Sequence, residues 1–185
     1  MRELSLHILD IVQNSIAAGA GTVTIRVQED STADRLSLSV ADDGRGMDEE
    51  TIAKVTDPFY TTRTTRKVGL GIPLLKTGAI ACEGDFSIES RLGEGTVITA
   101  SYRRSHIDRP PLGDMVSTML TILLGDEGVD YVYSHDLDGA QFAFASSEMK
   151  ELLDGLSFQN PDVYAWLKEF LTEGEMGLDK NRTMG

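Results

Sequence analysis

The chain has 185 residues, 41% of them hydrophobic and 25% charged, with a formal net charge of −13. That length supports one good core, or a medium core with a small one appended, and the acidity excludes nucleic acid as a general partner because phosphate binding needs clustered Lys and Arg. Nothing reads as a membrane span or signal peptide, and Cys82 with three scattered histidines makes neither a disulfide nor a zinc site, so a cytoplasmic protein is expected.

Leu4, Ile8, Ile11, Val12, Ser15 and Ile16 follow the three-four spacing of an amphipathic helix, which Gly19 and Gly21 stop. Residues 22–27 and 36–40 alternate as strands, with polar residues turning between them. A loop at 42–46 opens a short helix from Asp48 to Val55, and residues 56–68 read as a long loop rich in Thr and Arg. A helix is predicted over 70–82, then strands at 86–90 and 96–102. One mixed sheet with helices on one face accounts for this order.

Arg109-Pro110-Pro111 breaks regular structure and places a boundary near 103–113. Residues 1–104 form one expected domain and 105–185 a small acidic appendage. The first carries 12 Lys+Arg against 15 Asp+Glu, the second 5 against 15, so the negative charge concentrates in the second. Beyond the boundary, 114–124 reads as an apolar helix. Strands at 131–134 and 141–144 flank a hairpin turn at Asp136-Leu137-Asp138-Gly139. Helices are expected at 147–153 and 162–171, with a loose tail after Gly174. The stripe Met115, Met119, Leu120, Ile122 and Leu123 reads as core or, more sharply, as a homodimer surface.

Four local patterns carry candidate chemistry. Asp10 and Asn14 lie four apart and project from one helix face, where a carboxamide oxygen can join a magnesium shell and Asp10 can hold a water. Asp42-Asp43-Gly44-Arg45-Gly46-Met47 follows a strand; a carboxylate there can accept from the exocyclic amine of adenine. Asp57-Pro58-Phe59-Tyr60-Thr61-Thr62-Arg63 runs into Arg66 and Lys67, cations suited to a triphosphate. Val68-Gly69-Leu70-Gly71 opens a helix whose terminal amides favour anions. Taken singly, each also reads as a solvated helix face, an acidic turn or a surface loop.

In this order and spacing the four patterns, with the closing Gly93-Glu94-Gly95-Thr96, resemble the ATPase family shared by gyrase, the ninety-kilodalton heat-shock chaperone, histidine kinases and mismatch-repair ATPases (GHKL, Bergerat fold). The resemblance spans residues 3–104. It implies an α+β fold, a two-layer α/β sandwich, that binds ATP with Mg2+. Asn14 would coordinate the magnesium, Asp42 would bind adenine with Thr96 beside it, and Gly44, Gly46 and Met47 would shape the base pocket. Phe59 would anchor a lid containing Thr62, Arg63, Arg66 and Lys67, and Gly69, Leu70 and Gly71 would line the phosphates. Asp10, Arg63 and Lys67 are the candidate catalytic residues.

The sequence departs from that pattern in three ways. Lys67 stands where a further glycine is frequent, Asp10 replaces a glutamate, and a phosphoacceptor hairpin is not expected ahead of residue 3. His7, inside the nucleotide module, is expected to be packing. The implied function is a stand-alone kinase-like regulator acting on a protein partner. A slow ATPase switch, or an interaction module that keeps a relic pocket, are the alternatives.

Overall fold

A computed structural model describes residues 3–59 and 70–182. In chain order these are α1 (Leu4–Ala17), β1 (Thr22–Asp30), β2 (Arg35–Asp42), α2 (Glu49–Thr56), α3 (Gly71–Ala81), β3 (Phe86–Arg91), β4 (Gly95–Arg103), α4 (Met115–Gly125), β5 (Asp130–Leu137), β6 (Ala140–Ala145), α5 (Ser146–Leu152) and α6 (Pro161–Arg182). The strands make one sheet ordered β3-β4-β2-β1-β5-β6. All neighbours are antiparallel except β1 and β5, which run parallel.

Side-chain alternation decides how the sheet is covered. Val23, Ile25 and Val27 of β1 and Leu36, Leu38 and Val40 of β2 are buried, while Arg26 and Gln28 between them are exposed. A period of two puts the apolar set on one face, and burying it on helices leaves the other face to water. The stripe Leu4, Ile8, Ile11 and Val12 lays α1 on that face, with Leu75 and Ala79 of α3 joining the same core.

The appendage expected at 105–185 takes a specific form: its strands extend the same sheet, and its apolar side chains join the same core. The proline-containing linker also serves α1. Glu3, at the helix N-cap, makes no side-chain cap, and the amides of Leu4 and Ser5 instead donate to the carbonyls of Pro111 (3.0 Å) and Leu112 (2.8 Å). These are the amides a helix start leaves unsatisfied. Asp114 then caps α4, its Oδ1 accepting from Ser117 N at 2.9 Å. Met115, Met119, Leu120, Ile122 and Leu123 are all buried within this single chain, so the stripe is core and does not form the dimer surface of the sharper reading.

The predicted hairpin is present, with Asp138 and Gly139 both at positive φ (52° and 89°), the backbone of a tight two-residue turn. Beyond it, α6 departs from the expectation of a loose tail after Gly174, because the helix continues to Arg182. Gly174 does not end it: a Cβ there would collide with the ring of Phe142, so the missing side chain is the slot through which β6 packs on the helix. Leu178, one turn on, is buried, and packing of an apolar face overrides the weak helix propensity of glycine.

Candidate functional site

The site is built where the apolar face of the sheet ends. Across β3, β4 and β2, Ile88, Ile98 and Val40 pair in one row. Two residues along, the corresponding row is Ser90, Thr96 and Asp42. Paired residues on neighbouring strands point to the same side. Three polar groups therefore stand on the helix-covered face, beside the start of the core.

Asp42 is held from two directions. Its Oδ2 accepts from Ser15 Oγ at 2.6 Å and its Oδ1 from the amide of Gly44 at 2.9 Å. An ionised carboxylate has about four acceptor positions, so two such bonds orient it and leave capacity for a ligand. The same hydroxyl lies 3.2 Å from the carbonyl of Ile11, the weaker of its two contacts. Ser15 was absent from the sequence-predicted site; the available signal was a hydroxyl at an apolar-stripe position, next to Asn14.

The neighbouring Asp43 is used differently. Its Oδ1 accepts from the amides of Gly21 (2.8 Å) and Thr22 (2.9 Å), and those bonds lower its carboxyl below the ordinary value. It fastens the loop to the start of β1. The same loop is tied by Arg45 N to the Ala18 carbonyl (2.9 Å) and by Gly93 N to the Arg45 carbonyl (2.7 Å).

Two glycines are required by this close approach. Gly46 (φ 71°) would drive a Cβ into the Arg91 carbonyl, and Gly95 (φ 110°) would drive one into the carbonyl of Asp42. Both combine a left-handed backbone with contact from a neighbouring main chain, which only glycine accommodates. Met47, half-buried, donates its amide to Ser90 Oγ at 2.8 Å, and Ser90 in turn meets Thr96 Oγ1 at 2.8 Å.

The other predicted residues fall as follows. Asp10 and Asn14 lie one turn apart on α1, both half-buried. A Cβ at Gly71, the first residue of α3, would lie 3.2 Å from Asp10 Cβ and 3.4 Å from its Oδ2. Asp10 thus stands against the N-terminus of α3, which has no side-chain cap. Leu70 is exposed, and Phe59, just past α2, is 92% exposed. Thr62, Arg63, Arg66, Lys67 and Gly69 lie outside the described residues. His7 is buried in α1, as the packing reading expected.

A model of the family described as histidine kinase-, DNA gyrase B- and HSP90-like ATPase matches residues 2–106. The chain belongs to this family. Its relatives include the sensor protein kinase FleS of Pseudomonas aeruginosa, 41% identical over 92 residues, a match covering 50% of this chain and 23% of that protein. Sporulation kinase C of Bacillus subtilis is 34% identical over 97 residues, covering 51% of this chain and 22% of that protein. The chain spans less than a quarter of the length of these two relatives. Among solved structures, the N-terminal domain of a DNA repair protein superposes with a TM-score of 0.52 at 14% identity, covering 77% of this chain and 52% of that one; that likeness concerns the fold.

The chain therefore carries a histidine-kinase-like ATP-binding domain of the GHKL group. No described helix is long and apolar enough to cross a membrane. Among the described residues, no group of three or more His, Cys, Asp or Glu could hold a metal ion by itself. Asn14, half-buried on α1, carries a carboxamide oxygen of the hard-donor type that a magnesium ion accepts.

Proposed function

We propose that the chain binds ATP with magnesium at the Ser90–Thr96–Asp42 end of the sheet and uses it to act on, or switch, a partner protein. The observation that carries the reading is Asp42: a carboxylate at a strand end, oriented by Ser15 and Gly44, in a loop whose glycines let main chain approach closely. Such a carboxylate accepts from the amine of adenine. Thr96 stands beside it, Gly44, Gly46 and Met47 shape the base pocket, and Asn14 supplies its carboxamide oxygen to the metal. Gly69, Leu70 and Gly71 lead into the α3 N-terminus, where amides favour the phosphate anions. Phe59, exposed just past α2, precedes the segment carrying Thr62, Arg63, Arg66 and Lys67, whose cations are suited to offset phosphate charge.

Magnesium, when bound, supplies charge neutralisation on the phosphates, and transfer to a partner then needs little beyond positioning. The acidic region 105–185 supplies the contrasting surface for a partner with basic character. A second reading, a slow ATPase switch, is favoured by the seat of Asp10 against Gly71, where its carboxylate can orient a water.

Calorimetric melting with ATP or ADP and magnesium tests the shared core of both readings. Nucleotide at a hundred times its Kd raises stability by about 2.7 kcal/mol, and an unchanged melt at millimolar nucleotide ends both. Labelling of a partner protein by γ-labelled ATP supports the first reading. Phosphate release without such labelling, lost in Asp10→Asn, supports the second.

A further inference from the structure

The hydroxyl of Ser90 touches three groups. It lies 2.8 Å from the amide of Met47, 3.0 Å from the carbonyl of Gly95 and 2.8 Å from Thr96 Oγ1. A hydroxyl has one proton and two lone pairs. The Met47 amide can only donate and the Gly95 carbonyl can only accept. If Ser90 gave its proton to Thr96, its contact with Gly95 would set two acceptors against each other. One assignment satisfies all three contacts: Met47 N–H and Thr96 O–H donate to Ser90, and Ser90 donates to Gly95. The proton of Thr96 is then turned away from the pocket.

From this geometry we infer that Ser90 is a positioning residue that makes Thr96 a pure acceptor, so that the Thr96–Asp42 pair selects a purine whose six-position carries an amine over one whose six-position carries a carbonyl. Asp42, once ionised, is also acceptor-only. A 6-amino group meets lone pairs from both side chains. A 6-oxo group meets the same lone pairs with no proton to bridge them, and a buried polar group left unmatched discriminates strongly. Thr96 does not contribute to this without Ser90, because a threonine hydroxyl free to rotate would donate to the oxo group. The inference rests on the reading of this end of the sheet as the base site.

The test compares binding of ATP with inosine triphosphate, which replaces the 6-amine by a carbonyl, in the presence of magnesium. The wild-type protein is expected to prefer ATP by about a hundredfold. In Ser90→Ala the Thr96 hydroxyl is released, and the preference is expected to fall about tenfold; Ser90→Thr, which keeps a hydroxyl, restores it. A simple packing role for Ser90 would weaken both nucleotides together and leave the ratio alone, and that result overturns the inference. Thr96→Val, made with Ser90 intact, gives a second arm in case Ser90→Ala fails to fold. It should weaken ATP several-fold and leave inosine triphosphate unchanged, whereas a parallel loss of both shows that Thr96 does not read the six-position and also overturns the inference. A wild-type protein that binds neither nucleotide overturns the base-site reading itself. Wild-type binding of ATP with an unaltered ratio in Ser90→Ala overturns only the role of Ser90.

Discussion

Two ends of one sheet treat their carboxylates in opposite ways. At the β2–β4 end, Asp42 is oriented by a hydroxyl and an amide and keeps acceptor capacity unused. At the β1–β5 side, Glu29 and Glu175 close on a buried histidine. His135 Nδ1 lies 2.8 Å from Glu175 and Nε2 lies 3.2 Å from Glu29, with Arg104 on the other oxygen of Glu29 at 3.2 Å. The hydroxyl of Tyr133 donates to Glu175 as well, at 2.5 Å. Burial by itself pulls His135 toward the neutral form, but the two carboxylates overcome it and raise its pKa to about 9. Glu29 moves the other way, held down chiefly by its bond to His135 against the opposing pull of burial. The contrast separates two uses of buried charge: a group paired on all sides locks elements together, and a group paired on some sides is available to a ligand. Here the lock fastens α6 and β5 to β1, joining the family domain to residues 105–185.

The largest expected effect breaks the lock and spares the site. His135→Gln removes the cation shared by Glu29 and Glu175, leaving Arg104 on Glu29 alone, and should cost about 3–5 kcal/mol of stability by denaturant unfolding. Because the folded pKa of His135 lies above its ordinary 6.5, its contribution is complete below about pH 6.5 and is lost as pH rises through about 9. The wild-type melting midpoint should fall across that window, and the fall should shrink in His135→Gln. An identical pH slope in both proteins would remove the histidine from the account.

Next in size is the reciprocal change. Asp42→Asn keeps an oxygen for the Gly44 amide, so the unliganded melt should move by less than about 1 kcal/mol. Loss of the charged acceptor should weaken ATP by about thirtyfold or more in calorimetric titration. Normal binding by this variant would show that the adenine assignment is wrong. If His135→Gln and Asp42→Asn each disturbed both stability and binding equally, the two ends would not be separate.

The smallest effects concern how α6 reaches the lock. Gly174→Ala forces the Phe142 ring to move and should destabilise by about 1–2 kcal/mol despite its better helix propensity. Gly177→Ala meets nothing within 4 Å and should stabilise by up to about 1 kcal/mol. The sign difference between two glycines three residues apart is the readout, taken from paired thermal melts.

Much of the local structure was legible because it depends on local periodicity. The α1 stripe, the alternation in β1 and β2 and the Asp138-Gly139 turn all follow from residues within a few positions of one another. The family resemblance implies Asp42, not Asp43, as the adenine-binding carboxylate, and in the structure Asp43 is engaged elsewhere, its bonds going to the start of β1. Ser15 and Ser90 were not singled out, since a serine in a helix stripe or at a strand end carries no signal until its partner is known.

What the amino-acid order alone determined is therefore the set of elements and the membership of residues 2–106 in the ATPase family. The tertiary structure decided the rest: that β5 pairs parallel with β1, that α6 passes Gly174 unbroken, and that His135 carries its charge inside the protein. Each of these depends on groups far apart in the chain, Glu29 and His135 being 106 residues apart and His135 and Glu175 being 40 apart. Burying a charge is unfavourable until its partners arrive, and only the folded chain brings those partners together.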